Sequence, residues 1–414
     1  MSRYIDVKYY FETTVEPEKA AELIASVQST GTWKKVAGET KELIEKFGAV
    51  VRDIKDLGEA KEPSLPVKGK FAGIRRAEAV ISYPHINFGS SIAMILSTVA
   101  GEAFDLNELT ALKVIDIEFP EDYLKNFSGP KFGLEGCREI IGAHERPLFG
   151  AIVKPCVGLG ASEIGELAAS VAKAGADFIK DDELLCDPEY NRLKDRVESV
   201  SGALAGVYEE TGKITMYAFN VTGGSMEPEA YHDIVKKHGG RAIMFNVLAG
   251  GFPALQKLSR HSNLPIHCHR DFAVTTFRST KIGITSALFT KLTRLCGGDQ
   301  VQCGGIGGNL YEEDEEVLES IRACTDKIGE IKPALPVSSG GMWAGKLPLN
   351  IRKNGNNDFL FLAGGGVFSH PKGGYGGMKS IIDAYQAFKQ GVKLEDFDSA
   401  ELKSAIEEFG EVLY

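Results

Sequence analysis

The chain has 414 residues, 43% of them apolar and 25% charged, with a formal net charge of −10. That balance is globular and long enough for two domains, and the negative charge argues against a nucleic-acid backbone as the main partner. No run approaches the roughly 20 apolar residues of a membrane span; the best, Ile92 to Ala100, is too short. The start, Met1-Ser2-Arg3-Tyr4-Ile5-Asp6, lacks the apolar core of a signal peptide, and seven cysteines without CxxC spacing fit reduced thiols, so a cytoplasmic protein is expected. Tyr4 to Thr13 alternates like a strand, and Pro17 to Ser26 reads as a helix with Pro17 in its first turn. Phe71 to Pro84 and Leu112 to Phe119 read as further strands. Phe127 to Gly133 is rich in breakers and reads as a linker.

From Pro147 the rhythm changes. Short apolar strands are predicted at Phe149–Lys154, Asp177–Lys180, Ile214–Ala218, Ala242–Asn246, Pro265–Cys268, Gln300–Gln302, Ala334–Val337 and Asp358–Leu362. Helix-length segments lie between them, such as Glu163–Ala174, Leu193–Glu210, Asp314–Thr325 and Gly377–Gln390. Strand–helix alternation repeated about eight times over about 250 residues points to a (β/α)8 TIM barrel, with a doubly wound sheet as the rival. The expected division is an N-terminal α+β domain at 1–135 and a barrel domain at 136–414.

The richest chemistry lies in Ala176-Asp177-Phe178-Ile179-Lys180-Asp181-Asp182-Glu183, an apolar strand that ends in a lysine and three acids. Strand alternation points Lys180 and Asp182 the same way, with Glu183 on the bend. The group reads either as an ion-pair cluster or as half of a site for a hard cation such as Mg2+, which takes oxygen ligands. A lysine amine becomes such a ligand only after capturing CO2 as a carbamate. Lys154 ends the first barrel strand and reads as a rim salt bridge or as a proton carrier whose pKa burial would draw toward neutrality. His267 and His269 share a strand face, as core groups or zinc ligands, and Arg270 on the turn suits phosphate or carboxylate. Glycine-rich turns at Cys303–Asn309, Ser338–Gly341 and Gly364–Gly366 follow the last three strands. They read as plain turns or as anion sites built from backbone N–H groups.

Taken together these segments resemble the large subunit of ribulose-bisphosphate carboxylase/oxygenase, and more closely the rubisco-like proteins (form IV), from Tyr4 to about Tyr385. The most specific motif is Gly175-Ala176-Asp177-Phe178-Ile179-Lys180-Asp181-Asp182-Glu183. The resemblance implies a ferredoxin-like N-terminal domain before the barrel. It implies that Lys180, carbamylated by CO2, holds Mg2+ with Asp182 and Glu183. It gives Lys154 proton transfer and His269 an active-site role. Arg270, Ser339, Gly341, Gly364 and Gly365, with Gly340 between them, match groups that bind phosphate and substrate hydroxyls. Thr32 and Trp33 match residues that reach into a partner's active site, which implies a homodimer with shared sites.

The departures from the carboxylases are equally specific. Cys156 stands where they carry a second lysine, Asn309 replaces the lysine at the tip of the loop after strand six, Gln302 replaces a histidine, and Glu102 replaces an asparagine. Their upstream glutamate falls near Val27. The loop lysine stabilises the carboxylate formed when CO2 adds, and an asparagine brings no positive charge, so no carbon fixation is expected. The resemblance implies an Mg2+-dependent lyase or isomerase that forms an enediolate from a phosphorylated keto-sugar or keto-sugar acid, of decarboxylase or C–C hydrolase type. The alternatives are an enolase or isomerase of a methylthio-ketose phosphate in methionine salvage and a non-catalytic sugar-phosphate binder. Glu102 is expected to act as an added acid or base.

Overall fold

The computed structural model describes residues 3–32 and 36–414. Two compact units are present: one reaches Phe127 and includes Ala273–Phe289, and the other comprises Ser128–Phe272 with Thr290–Tyr414. Among the described residues no helix is long and apolar enough to cross a membrane.

The first unit holds β1 (Tyr4–Thr13), β2 (Val50–Ala60), β3 (Ile74–Pro84) and β4 (Leu109–Glu118). β1 lies antiparallel between β3 and β4, and β2 pairs antiparallel with β3. A helix at Pro17–Val27 follows β1, and one at Ile92–Ala100 precedes β4. This is the ferredoxin-like arrangement the resemblance implies. Val7, Tyr9 and Phe11 alternate into the core of β1, and Ala20, Ala21 and Ile24 bury one face of the first helix. The apolar run at Ile92–Ala100 is the helix that precedes β4, started by Ser91, whose hydroxyl accepts from Met94 N.

The second unit closes into an eight-stranded barrel. Its strands are β5 (Leu148–Ile152), β6 (Phe178–Lys180), β7 (Met216–Asn220), β8 (Ala242–Asn246), β9 (Ile266–His269), and, after the two-residue β10 (Gly283–Ile284), β11 (Gln300–Gly304), β12 (Leu335–Ser339) and β13 (Leu360–Ala363). All are parallel, and β13 pairs with β5 to complete the ring. Closure excludes the doubly wound rival. β10 belongs to the other sheet, parallel to β4. Its segment is fastened there by Lys281, which bonds buried Glu12 at 2.7 Å, and by Thr285, which donates to Ile115 O.

The end of the barrel away from the strands' carboxyl ends is plugged by a helix at Gly133–Ile141. Leu134, Cys137 and Ile141 join Leu148, Phe178, Met216, Leu335 and Leu360 in one buried cluster. Asp299 ties this helix in place, accepting from Phe132 N, Gly133 N and Ile266 N at 2.7–2.9 Å.

Asp177, the first acid of the motif, is structural. Its buried carboxylate takes two bonds from Arg146, at 2.6 and 2.8 Å, an ion pair from Lys213 at 3.0 Å and the Phe149 N–H. Burial opposes the charge, but these partners outweigh it and hold the carboxyl below 3.8. A depressed acid contributes stability above its unfolded pKa and loses it as pH falls through the folded one. Asp177→Asn is therefore expected to cost about 2–4 kcal/mol near neutrality, with the deficit shrinking below about pH 4. Thermal unfolding across pH checks this, and a deficit that grows in acid would contradict it.

Candidate active site

The carboxyl ends of β5, β6 and β9 bring five predicted residues together. Lys180 closes β6 with its side chain fully buried, and its ammonium donates to Asp181 O at 2.9 Å and to Glu183 Oε2 at 3.2 Å. Lys154, just past β5, sets its ammonium 2.5 Å from Asp182 Oδ2 and donates to Cys156 Sγ at 3.2 Å. His269 closes β9, its Nε2 3.3 Å from the same Glu183 oxygen. Asp271 N donates to His269 Nδ1, which leaves the ring proton on Nε2, directed at the carboxylate. Asp181, between the two functional positions, is turned the other way. Arg196, the Tyr217 hydroxyl and Asn220 N saturate it.

The backbone is held as firmly as the side chains. Asp182 Oδ1 accepts from Leu184 N, and Glu183 O accepts from the side-chain amides of Asn220 and Asn246. These asparagines end β7 and β8, and the sequence reading gave neither a role. Their signal was available: a polar residue at the carboxyl end of a barrel strand.

In this unmodified state the lysines and acids form an ion-pair network, one of the two readings the sequence left open. Two cations face two carboxylates. Burial pushes the Lys180 pKa below its ordinary value, and the field of Glu183 only partly offsets it. Burial opposes the Glu183 charge, yet Lys180 holds that carboxyl low. Lys154 forms the rim salt bridge that was one of its two readings. Burial alone would lower its pKa, but its side chain is 30% exposed and its bond to Asp182 outweighs desolvation, so the pKa rises instead. Burial, with Lys180, His267 and Arg270 nearby, holds His269 neutral.

The donor set fits a hard divalent cation once Lys180 is a carbamate. The change turns one positive group into a negative one and makes three anionic oxygen donors of Lys180, Asp182 and Glu183. The neutral amine favoured by burial is the form that adds CO2. Asn246 Oδ1, buried beside Glu183, has no partner among the described residues, and such an atom calls for a water or an ion. His267 is a core group and no zinc ligand: its Nδ1 donates to Gln300 Oε1 at 3.0 Å, its Nε2 faces Gln302, and burial, with Lys180 nearby, takes its pKa down to about 3. A separate group, His232, Asp233 and His261, lies on the outer helices Pro228–Lys237 and Phe252–His261, with both rings bonded to Asp233 Oδ1.

The glycine turns are tightly packed, and the one after β13 adjoins this cluster. A side chain on Gly364 would meet Lys154 Cε at 3.2 Å. Gly340 and Gly341, both at positive φ, lie under the loop that follows β11. A Cβ on either would strike Leu310 or Asn309 at 2.4 or 1.8 Å. Ser339 ends β12 beside them, and Gly365 opens the short turn of helix after β13. Arg270 is paired with Glu312, a residue the sequence reading did not single out because it lies in the acidic run that starts the next helix. Glu102 is exposed in the first unit, Thr32 is half-buried there, and Trp33 lies outside the described residues.

A closed parallel barrel with lysines and carboxylates gathered at the carboxyl ends of its strands has the architecture of a (β/α)8 catalytic domain. Residues 133–409 match the ribulose bisphosphate carboxylase large chain, catalytic domain, and residues 5–123 match its N-terminal domain. The chain belongs to the ribulose bisphosphate carboxylase large-chain family, among its rubisco-like proteins. It is 38% identical to a ribulose bisphosphate carboxylase-like protein of Chlorobaculum tepidum, over 95% of this chain and 91% of that one. It is 34% identical to the 3-oxo-isoapionate-4-phosphate decarboxylase of Rhizobium etli, over 98% of this chain and 99% of the relative. The crystal structure of a rubisco-like protein from Burkholderia fungorum superposes with a TM-score of 0.90 at 31% identity, covering 98% of this chain and all of that one.

Proposed function

We propose that this protein is an Mg2+-dependent enzyme that forms an enediolate from a phosphorylated keto-sugar acid, by decarboxylation or C–C hydrolysis, and does not fix CO2 onto ribulose bisphosphate. The observation that carries this reading is the convergence of Lys154, Lys180, Asp182, Glu183 and His269 at one barrel mouth. Lys180 as its carbamate, Asp182 and Glu183 would hold the cation. Bound there, Mg2+ supplies a Lewis acid that polarises a substrate carbonyl and stabilises the oxyanion that develops from it.

The chain's own residues supply the rest. Lys154 holds a proton at the mouth and is the residue placed to deliver it to, or take it from, the reacting carbon. His269 keeps Nε2–H toward Glu183 and fixes that carboxylate. Ser339 and the turns at Gly340–Gly341 and Gly364–Gly365 offer donors to a phosphate and to substrate hydroxyls. Thr32, Trp33 and Glu102 of a second copy complete the site in a homodimer, with Glu102 as an added acid or base.

Asn309 supports the direction of the reaction. A cation at that position would stabilise a substrate carboxylate more than the transition state in which its charge leaves as CO2, so a neutral amide favours decarboxylation. The relative named as a 3-oxo-isoapionate-4-phosphate decarboxylase supports the same substrate class. The test is turnover of 3-oxo-isoapionate 4-phosphate with Mg2+ and bicarbonate, alongside solvent-deuterium incorporation into ketose phosphates, methylthio-ketose phosphates included. Release of CO2 from the sugar acid is expected. Deuterium entering only a methylthio-ketose phosphate would move the assignment to methionine salvage, and neither signal would leave a sugar-phosphate binder.

A further inference from the structure

Asp181 faces away from the mouth, yet its partners lead back to it. Its carboxylate accepts from Arg196 Nε at 3.1 Å, lies 3.0 Å from Nη2 and accepts from the Tyr217 hydroxyl at 2.7 Å. Arg196 stands near the start of the helix at Leu193–Thr211. Its other N–H groups reach the loop between β6 and this helix. Nη1 donates to both Asn191 O and Asn191 Oδ1, and Nη2 to Cys186 O. Asn191 in turn donates from Nδ2 to Leu159 O at 2.8 Å. Leu159 lies in a different loop, the one after β5 that carries Lys154. Asp181, Arg196 and Asn191 are each no more than 2% exposed.

These bonds close a circuit around the end of β6. Lys154, at the start of the loop, touches Asp182. Leu159, at its end, hangs through Asn191 and Arg196 from Asp181. Between them Pro155, Val157 and Gly158 are exposed. Gly158 N donates to the hydroxyl of Tyr190, a residue exposed enough for water to compete. The two ends of the circuit respond differently when a cation site forms. A cation held by Asp182 competes with Lys154 for that carboxylate. The bond from Asn191 to Leu159 O uses no group of that site.

We propose that Asn191 is a positioning residue for Lys154: braced by Arg196, it fixes the loop after β5, and with it the lysine, once Asp182 is engaged elsewhere. The inference rests on the reading of Lys154 as the proton carrier and deepens it. A carboxamide suits this task. Its oxygen accepts from Arg196 while its nitrogen donates to the loop, and it adds no buried charge.

The experiment compares the full-length wild-type protein, Asn191→Asp and Lys154→Met, each with Mg2+ and bicarbonate. Asn191→Asp keeps the shape and the acceptor for Arg196 but sets an oxygen against Leu159 O. Amide hydrogen exchange over residues 157–160 should quicken about tenfold or more in Asn191→Asp. Acetylation of Lys154 by acetic anhydride, mapped by mass spectrometry, should rise with it. CO2 uptake and Mg2+ affinity should stay within about twofold. With these intact, kcat should fall about 10²-fold at an unchanged KM, a split that general loosening of the barrel would not give. In Lys154→Met the loop should exchange as in the wild type, because Asn191 holds it. That comparison decides the matter if circular dichroism shows Asn191→Asp unfolded. Wild-type exchange in folded Asn191→Asp, or a loop released by Lys154→Met alone, overturns the proposal. A loosened loop with unchanged kcat overturns it too and leaves the role of Lys154 standing. A wild-type protein that converts no phosphorylated keto-sugar sinks the catalytic reading, and exchange and acetylation still decide whether Asn191 places the lysine.

Discussion

Lys180→Met is expected to reduce turnover by about 10³-fold or more and to abolish any dependence of Mg2+ binding on CO2. Methionine fills a similar volume without an amine, so no carbamate forms and the third anionic ligand is lost. The fold should survive, because the residue removed is a buried cation and Glu183, 23% exposed, keeps His269 and water as partners. The wild-type protein carries a matching pH signature. Only the neutral amine adds CO2, and its fraction rises as pH climbs through the pKa of Lys180. Burial places that pKa below 10.5, so activation by bicarbonate should rise with pH at a midpoint below that of a free lysine. Retained CO2-dependent activity in the variant would remove Lys180 from the mechanism.

Lys154→Met is expected to lower kcat by about 10²–10⁴-fold while CO2 uptake and Mg2+ binding persist. The two lysines stand against the same pair of acids but differ in access to water. Lys154 is partly exposed and bonded to one carboxylate, so it keeps its proton in this state. Lys180 is sealed and inclined to lose it. Environment thus separates a lysine that keeps its proton from one inclined to lose it, as the proposed roles of proton carrier and carbon dioxide acceptor require. If Lys154→Met instead abolished Mg2+ binding, the lysine would be acting on the acids and not on the substrate.

Much of this was legible in the sequence, for reasons that particular residues make plain. Barrel strands buried on both faces read as short apolar runs, so Ala242–Asn246 was found with its exact ends and Asp177–Lys180 within a residue. Period-two alternation predicted that Lys180 and Asp182 would share a face, and Asp181 is indeed bound to Arg196 on the other side. The strand at Val50–Ala60 was missed because it lies at a sheet edge and is largely exposed, so its charged residues hide the pattern. The pairing of Gly283–Ile284 with β4 was invisible for another reason. It joins residues far apart in sequence through two backbone steps, and no local pattern records it. Glu312 was missed because it stands among the acids just before the helix at Asp314–Thr325, where a run of acids has a sufficient local explanation, and only the fold brings Arg270 to it.

Between the two readings of Lys154, a rim salt bridge or a proton carrier with its pKa drawn toward neutrality, the sequence could not choose. Position at the end of a strand predicted the mouth correctly, but the sign of the shift depended on whether an acid or an apolar wall faced the amine. Asp182 faces it. For Lys180 the same competition goes the other way, because the barrel encloses it completely.

The most direct measurement is equilibration of the protein with 13C-bicarbonate and Mg2+, followed by detection of a carbamate carbon by NMR in the wild-type protein and in Lys180→Met. One labelled carbon per chain in the first, its absence in the second, and Mg2+ affinity that tracks the label are the results this account predicts. Tight Mg2+ binding with no label on Lys180 would contradict it.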